Sequence, residues 1–313
     1  MRLARRTFVA ALAAAAMRPA RAAADAPLVI QLGDMPIEAG APAFYAQERG
    51  FFAAAGLDVK LTLLNNGAAI IAAMMSGAVD VGFASASPLI QARQRSLPIK
   101  FLQFSAIYTG AQLLSAILVA KDSPIRSAGD LAGKPIAVNG LHDLGQYQVQ
   151  SWIDQNGGNS STVQFVELPY AEMAAALQQG RIAAAGPTEP FVTAAKGTTR
   201  ILGNLNEAIA HRYLMAGWIS TEPWLARNPD AARRFYGAIQ QAARWANAHP
   251  KDALPLLLQF TKITPETAAA TGRYTFDESD RPDPKLIQPI ADMMRRYGKL
   301  TPFTESDLVW TPR

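Results

Sequence analysis

The side chains that most often carry covalent or metal chemistry are sparse in this sequence and stand far apart. The chain has no cysteine, which excludes thiol catalysis and disulfide bonds. Its histidines, His142, His211 and His249, never occur four residues apart, the spacing that places two imidazoles around a zinc ion. Ser85 lies in Gly-Phe-Ala-Ser-Ala, which lacks the Gly-x-Ser-x-Gly spacing of a hydrolase nucleophile. No phosphate-binding or dinucleotide-binding glycine loop follows the first apolar run. We therefore expect no enzymatic activity, no cofactor and no metal site.

Polar residues at the carboxyl ends of predicted strands are the better candidates, because open α/β sheets bind ligands there. Asp34 follows the first strand and is expected either to accept a hydrogen bond from a ligand or to cap a nearby helix. Asn66 and Gly67 precede a helix and either present backbone N–H groups to a polar ligand or form a plain turn. Ser85 and Ala86 follow the third strand, where the hydroxyl suits ligand contact or helix capping.

The second half of the chain offers a similar set. The loop from Gly140 to Asp143 lies between a strand and a helix, and Asp143 is favoured as the helix N-cap over a ligand contact. His142 gains nothing from the positive end of a helix dipole, which leaves a ligand role open for it. Glu189 could bind a ligand amine or brace a hinge. Tyr108 ends a strand, where it forms an aromatic wall of the site or, more commonly, packs in the core.

Strands and helices alternate along the first 121 residues, which predicts an α/β fold with a covered, largely parallel sheet. The predicted strands are Leu28–Leu32, Leu57–Leu64, Val79–Ala84, Lys100–Ile107 and Leu114–Lys121, and the predicted helices are Ala41–Arg49, Ala68–Ser76 and Pro88–Arg95. Gly50 and Gly77 end the first and the second of these helices.

The alternation restarts after Asp130 and gives way to helices after Thr221, which predicts two lobes. The predicted strands are Pro135–Asn139, Val163–Leu168 and Arg181–Ala185, and the predicted helices are Asp143–Gln155, Ala171–Gln179, Ala231–Ala248, Asp252–Phe260, Pro265–Thr271 and Pro284–Tyr297. The late helices need a sheet to cover, so we assign residues 25–117 and 216–313 to lobe 1 and 118–215 to lobe 2. Two crossovers, near 116–121 and 212–219, would form a hinge.

The net charge of +5 belongs to the N-terminal segment. Residues 1–24 hold five arginines and no acidic residue, which accounts for the whole excess of 30 basic over 25 acidic residues. Arg5 and Arg6 precede the apolar run Thr7–Met17, and Ala-x-Ala sites follow near residues 20–24. This order is typical of an export signal peptide, and the Arg-Arg pair favours the twin-arginine type over an ordinary secretory one. With a neutral remainder, we expect no nucleic-acid partner.

Four runs of the sequence carry a resemblance that extends over essentially the whole chain after residue 24. They are Ala43–Val59, Gly77–Ala84, Asp130–Val138 and Glu189–Phe191. The sequence resembles the ABC-importer substrate-binding proteins of the nitrate/sulfonate/taurine and thiamine-pyrimidine-precursor group. The resemblance implies a type II periplasmic-binding fold, in which two α/β lobes joined by two hinge crossovers hold a ligand in the cleft. It also implies that the ligand-contacting loops are those already named: Asp34, Asn66–Gly67, Ser85–Ala86, Gly140–Asp143 and Glu189.

The candidate residues depart from those of strongly anion-binding members, because they include three carboxylates and a histidine. Asp34, Asp143 and Glu189 would repel an anion. We therefore expect a small polar organic ligand, nitrogen-bearing or sulfonate-like, rather than an inorganic anion. We further expect a monomer in the periplasm that delivers its ligand to an ABC permease in the inner membrane. Two alternatives remain open: an exported enzyme on the same fold, and a periplasmic partner of a sensor.

Overall fold

The computed structural model describes residues 26–110, 112–298 and 300–311. The predicted export signal, with Arg5 and Arg6, lies outside the described residues. None of the helices in those ranges is long and apolar enough to cross a membrane.

The strands are β1 (Leu28–Asp34), β2 (Leu57–Leu63), β3 (Val81–Ala84), β4 (Ile99–Tyr108), β5 (Ala116–Ala120), β6 (Pro135–Val138), β7 (Gln164–Glu167), β8 (Ala184–Ala185), β9 (Thr199–Asn204), β10 (Tyr213–Thr221) and β11 (Thr275–Phe276). The helices are α1 (Ala41–Glu48), α2 (Phe51–Ala54), α3 (Gly67–Met75), α4 (Ala86–Gln94), α5 (Leu144–Gln155), α6 (Tyr170–Gln178), α7 (Phe191–Ala194), α8 (Glu222–Arg227), α9 (Pro229–Ala248), α10 (Pro250–Thr261), α11 (Pro265–Ala270) and α12 (Gln288–Tyr297). A short 3₁₀ helix, Glu38–Gly40, follows β1.

The strands form two separate sheets, one in each lobe. The lobe 1 sheet has the order β11-β4-β10-β3-β1-β2, and the lobe 2 sheet has the order β7-β6-β8-β5-β9. The chain passes from lobe 1 to lobe 2 between Tyr108 and Ala116 and returns between Asn204 and Tyr213. We call these two connections the hinge segments. The α/β class and the two-lobed architecture with two crossovers agree with the sequence analysis.

Most strands of each sheet run in one direction, as expected, but both sheets are mixed because each also contains antiparallel pairs. In lobe 1, β1 is parallel to β2 and β3, but β10 is antiparallel to both β3 and β4. In lobe 2, β6 is parallel to β7 and β8, but β5 is antiparallel to β8 and β9. In lobe 1 these antiparallel pairs arise because β10 returns from the other lobe and enters between β3 and β4, and in lobe 2 because β5 arrives from lobe 1 and enters between β8 and β9.

The predicted crossover positions also need correction. Residues 116–121 and 212–219 fall almost entirely in β5 and β10, because their apolar runs are buried strands rather than connections. Ala116 and Ile117 therefore belong to the lobe 2 sheet, and residues 213–215 belong to the lobe 1 sheet. The hinge segments lie a few residues earlier in the chain than the sequence suggested.

Lobe 1 contains the larger hydrophobic core, covered by the long helix α9. Phe235 on α9 packs edge-on against Trp218 with ring centres 5.8 Å apart, and Trp218 lies 5.0 Å from Phe83 on β3. All three side chains are fully buried, and each such burial contributes about 1.5–3 kcal/mol. Glycines end two corresponding helices, one in each lobe. Gly77 after α3 and Gly180 after α6 have φ of 79° and 66°, the left-handed conformation that favours glycine.

Candidate ligand-binding cleft

The two lobes enclose a cavity of about 50 Å³ at the carboxyl ends of their parallel strands. Lobe 1, the first hinge segment and lobe 2 all contribute to its wall. The lining residues are Met35, Ile37, Ala39, Ser85, Ser115, Asn139, Asp143, Leu144, Gly145, Gln148, Tyr170, Thr188, Met215, Ala216 and Tyr274. Direct hydrogen bonds between the lobes surround this cavity, so the cleft is in a closed arrangement.

Asp143 makes the first of these contacts. It is the N-cap of α5 in lobe 2, where Oδ1 accepts a hydrogen bond of 2.6 Å from the backbone N–H of Leu144. The same oxygen accepts a hydrogen bond of 2.6 Å from the hydroxyl of Ser85, the N-cap of α4 in lobe 1. The backbone N–H of Gly67, the first residue of α3, also donates to this carboxylate. A lobe 2 carboxylate therefore binds donors at the N-termini of two lobe 1 helices.

Burial raises the pKa of Asp143 above its usual range, although these hydrogen bonds act in the opposite direction. The hydroxyl of Ser85 is committed to Asp143 and does not cap α4. Gly67 must be small because a β-carbon there would lie 2.8 Å from Cγ of Pro88 and 3.4 Å from Oδ2 of Asp143.

A second contact between the lobes involves Asn66. Its Oδ1 accepts a hydrogen bond from the N–H of Ala69 and so caps α3, while Nδ2 donates to the carbonyl of Asn139 at 3.2 Å and to Oε1 of Glu167 at 3.1 Å. Gly140 lies against Asn66, since a β-carbon on Gly140 would be 3.2 Å from that of Asn66. Asn66 therefore acts as a helix cap and a cross-cleft donor at once.

The third contact lies beside the hinge. The hydroxyls of Tyr274 and Thr188 are 2.5 Å apart, and Thr188 Oγ1 also donates to the carbonyl of Leu114 at 3.0 Å. The hydroxyl of Ser115 lies 3.1 Å from Thr188 Oγ1. These contacts join the C-terminal part of lobe 1, a turn of lobe 2 and the first hinge segment.

Of the residues predicted from the sequence, the structure brings six together at the cleft. Ser85 and Asp143 line the cavity. Asn66, Gly67 and Gly140 form the adjoining contacts between lobes, and Ala86 is the buried first residue of α4.

The other four lie away from the cavity wall. Asp34 is fully buried beneath Gly40, with Oδ1 accepting a hydrogen bond from the N–H of Met35, and it does not cap the 3₁₀ helix. Burial raises its pKa well above the usual range. Tyr108 is buried in the core with its ring 5.4 Å from that of Tyr213. These two positions favour structural roles over ligand contact.

His142 and Glu189 make backbone and hinge contacts instead. His142 is exposed with φ of 61°, and its carbonyl accepts a hydrogen bond of 2.6 Å from Nε2 of Gln91 across the cleft. Glu189 accepts hydrogen bonds from the N–H and hydroxyl of Thr193 and from the N–H of Gly272. Burial raises the pKa of Glu189. This arrangement matches the hinge-bracing alternative for Glu189.

Ser85 and Asp143 are the lining residues that were predicted, and several polar or aromatic ones were not. Asn139 and Thr188 each directly precede a candidate that was named, so the loop position alone could have indicated them. Gln148 lies inside α5, where Nε2 donates to the hydroxyl of Tyr213 at 3.0 Å. Tyr170 begins α6 and stacks on Phe191, with ring centres 5.7 Å apart. Tyr274 follows the late helices, and no local sequence signal marks it.

The cavity wall combines hydrogen-bonding groups with apolar surface. Asp143 is the charged residue among the lining residues, and neither lysine nor arginine occurs among them. Two methionines and two tyrosines provide adaptable and flat apolar surface. No group of three or more histidine, aspartate or glutamate side chains in the described ranges is arranged to hold a metal ion.

Two α/β lobes joined by two chain crossings, with a partly polar cavity between them, are the architecture of two-lobed solute-binding proteins. Residues 39–253 match the NMT1/THI5 like family, and the chain belongs to this family. It is 25% identical over 286 residues to the taurine-binding periplasmic protein of Escherichia coli (strain K12), covering 83% of this chain and 84% of that protein. It is 23% identical over 219 residues to the formylaminopyrimidine-binding protein of Halalkalibacterium halodurans, covering 69% and 64%.

The fold is also that of the alkanesulfonate-binding protein from Xanthomonas axonopodis pv. citri. The TM-score is 0.75 at 18% sequence identity, covering 91% of this chain and 98% of that one. These relatives are binding proteins rather than enzymes. The chain is accordingly a solute-binding protein and not an enzyme, in agreement with the family resemblance stated above.

Proposed function

We propose that this chain captures a small, polar, nitrogen-bearing organic solute in the cleft and delivers it to an ABC permease. We infer the ligand class from the Asp143 carboxylate, which lies in a cavity wall without lysine or arginine. Such a wall favours a ligand that donates hydrogen bonds, for example through an amine or a ring N–H group. The flat surfaces of Tyr170 and Tyr274 suit a planar or partly apolar ligand body.

The contacts of Asp143 argue against an anionic ligand. The N–H of Gly67 and the hydroxyl of Ser85 are the kind of donors that bind anions at helix N-termini. Here they already bind a carboxylate of the same chain. An incoming anion would have to displace Asp143 and remain close to a like charge, which costs free energy.

Solute capture requires the lobes to separate and close again about the two hinge segments. A solute shifts this equilibrium by as much as its affinity for the closed arrangement exceeds that for the open one. We further propose that residues 1–24 direct export, that the mature protein acts in the periplasm as a monomer, and that the closed lobes are the form recognised by the permease.

Thermal shift measurements test the ligand class. Purified protein is heated with members of three panels: organic amines and nitrogen heterocycles, alkanesulfonates, and nitrate. Binding raises stability by RT ln(1 + [L]/Kd), so a solute at 100 times its Kd adds about 2.7 kcal/mol. We expect a member of the nitrogen-bearing panel to raise the melting temperature. Stabilisation by sulfonates or nitrate alone would contradict the proposed class.

A pair of variants ties the binding to the cleft. D143N removes the charge but retains a good helix N-cap, and we expect it to weaken binding of the nitrogen-bearing solute at least about tenfold. D130N is the matched control, because Asp130 also accepts backbone N–H bonds in lobe 2 but lies on the surface. Equal affinities of D143N and the wild type in isothermal titration would rule out Asp143 as the ligand-binding carboxylate.

A further inference from the structure

Residues Gly272–Tyr274 lie between the lobes, and α11 before them contacts both α10 of lobe 1 and α7 of lobe 2. They follow α11 and precede β11, which pairs with β4 at the edge of the lobe 1 sheet. We call these three residues the bridging segment. Its position beside the hinge makes it a further connection between the lobes, formed by side chains and hydrogen bonds rather than by a chain crossover.

On the lobe 1 side, the bridging segment is held by Glu38. The carboxyl group is fully buried and contacts the guanidinium of Arg273, the residue that directly precedes Tyr274. Glu38 therefore holds the bridging segment through the side chain of Arg273. The 3₁₀ helix that contains Glu38 follows β1 and the short loop that lines the cavity. The contact between Glu38 and Arg273 therefore fixes the bridging segment relative to the lobe 1 wall of the cavity.

On the lobe 2 side, the same segment binds the turn at Thr188 and Glu189. The N–H of Gly272 donates to Oε1 of Glu189 at 3.3 Å, and the hydroxyl of Tyr274 lies 2.5 Å from Oγ1 of Thr188. Since Thr188 Oγ1 donates to the carbonyl of Leu114, it accepts the proton of Tyr274. Burial raises the pKa of Tyr274, which keeps the phenol protonated as a donor.

The bridging segment also lies against the first hinge segment. A β-carbon on Gly272 would be 3.2 Å from the carbonyl oxygen of Leu113, so the backbones approach closely. All of these contacts join protein atoms to protein atoms. Their strength therefore does not depend on a solute.

We propose that Glu38 is a positioning residue that holds Tyr274 where it can close the cleft against Thr188, and that this contact stabilises the closed lobes independently of the solute. The inference rests on the proposed function only in taking the cleft as the solute site. Glu38 acts through Tyr274, because it contacts the side chain of Arg273, the residue directly before Tyr274.

Distances between two spin labels measure lobe closure directly. The chain has no cysteine, so K60C and Q164C introduce unique labelling sites on exposed residues of β2 and β7. These strands are the edges of the two sheets farthest in strand order from the hinge strands β4, β10, β5 and β9. Opening about the hinge should therefore change this distance more than one measured near the crossovers. The measurement is made on the full protein without added solute.

We expect Y274F to lower the ratio of closed to open protein about 2- to 10-fold, the effect of losing one hydrogen bond. E38Q should shift the distribution in the same direction, and the E38Q/Y274F double variant should go little further than the stronger single variant, because both act through one contact. Y236F is the matched control: its hydroxyl donates to the carbonyl of Ser279 within lobe 1, and its distances should match the wild type.

Circular dichroism and thermal unfolding establish that each variant is folded. If E38Q does not fold, R273Q removes the same ion pair from its partly exposed side. Unchanged label distances in folded Y274F would overturn the inference, and so would independent, additive effects of E38Q and Y274F. Neither result would bear on whether a solute binds, which the thermal shift experiment decides separately.

Discussion

The hydroxyl of Ser85 donates a hydrogen bond of 2.6 Å to Oδ1 of Asp143, joining the start of α4 in lobe 1 to the start of α5 in lobe 2. Both residues are buried. Each stands at a helix N-cap, but only Asp143 caps its own helix, because the Ser85 hydroxyl points across the cleft. Ser85 thus stands at a capping position in lobe 1 but uses its hydroxyl for a contact with lobe 2.

Replacing Ser85 by alanine should destabilise the closed protein. A hydrogen bond to a charged group contributes about 1.5–3 kcal/mol, and its loss leaves a buried carboxylate with fewer donors. We expect S85A to lower the free energy of unfolding in urea by about 1–3 kcal/mol. S127A is the control, since the Ser127 hydroxyl donates to Asp130 at 3.0 Å on the surface, and it should cost less than about 0.5 kcal/mol. Equal losses in both variants would contradict a special role for the Ser85 contact.

The buried Glu38 predicts a loss of stability as pH rises. Burial raises its pKa to about 8 despite the opposing effect of Arg273, and the nearby Glu189 raises it further. The folded protein therefore binds this proton more tightly than the unfolded chain does. Stability contributed by the protonated group is present at low pH and falls as pH increases from the ordinary glutamate value near 4.5 to about 8.

E38Q removes this titration, so the unfolding free energy of E38Q minus that of the wild type should increase between pH 5 and pH 8. Urea unfolding at several pH values within that window measures the difference. E48Q makes the same chemical change at an exposed position of α1 and controls for surface effects. A constant difference between E38Q and the wild type across the window would disprove the raised pKa.

Phe83 tests the lobe 1 core that supports the cleft. It is fully buried on β3 against Trp218, and β3 leads directly to Ser85. We expect F83A to lower the unfolding free energy by about 3–5 kcal/mol, the usual range for a buried phenylalanine. L63A, at a residue 44% exposed, should change it by less than about 1 kcal/mol. Similar effects of the two substitutions would show that this core is not the stabilising unit.

The twin-arginine interpretation of the N-terminus makes a separate prediction. Replacing Arg5 and Arg6 by lysine retains both charges but removes the guanidinium pair that the twin-arginine pathway reads. We expect R5K/R6K to leave the protein in the cytoplasm, as measured by cell fractionation with the wild type as control. Undiminished export of the double variant would assign the segment to the ordinary secretory pathway instead.

The sequence predicted the cleft best where a strand leads into a helix. Asn66, Ser85 and Asp143 follow strands and precede helices, so local spacing alone placed them at the carboxyl edge of a sheet. The same rule failed for Asp34, because the 3₁₀ helix after β1 folds over it and buries the carboxylate. A local sequence pattern does not indicate whether a later segment will fold over a residue and bury it.

Tyr274 and Gln148 could not be found in this way. Gln148 lines the cavity from within α5 rather than from a loop, and Tyr274 comes from a segment 86 residues beyond its partner Thr188. The mixed sheets were missed for a related reason, since the direction of β10 depends on its return from lobe 2. Each of these features depends on tertiary packing between distant parts of the chain.

The direct bonds between the lobes have a consequence for transport. A closed outer surface that forms through protein contacts alone exists on unloaded molecules as well as on loaded ones. A permease that recognises this surface would then dock both forms, and unloaded molecules would act as competitors. The rate of import would follow the ratio of loaded to unloaded closed protein, so producing more of the binding protein at a fixed, scarce supply of solute would slow uptake.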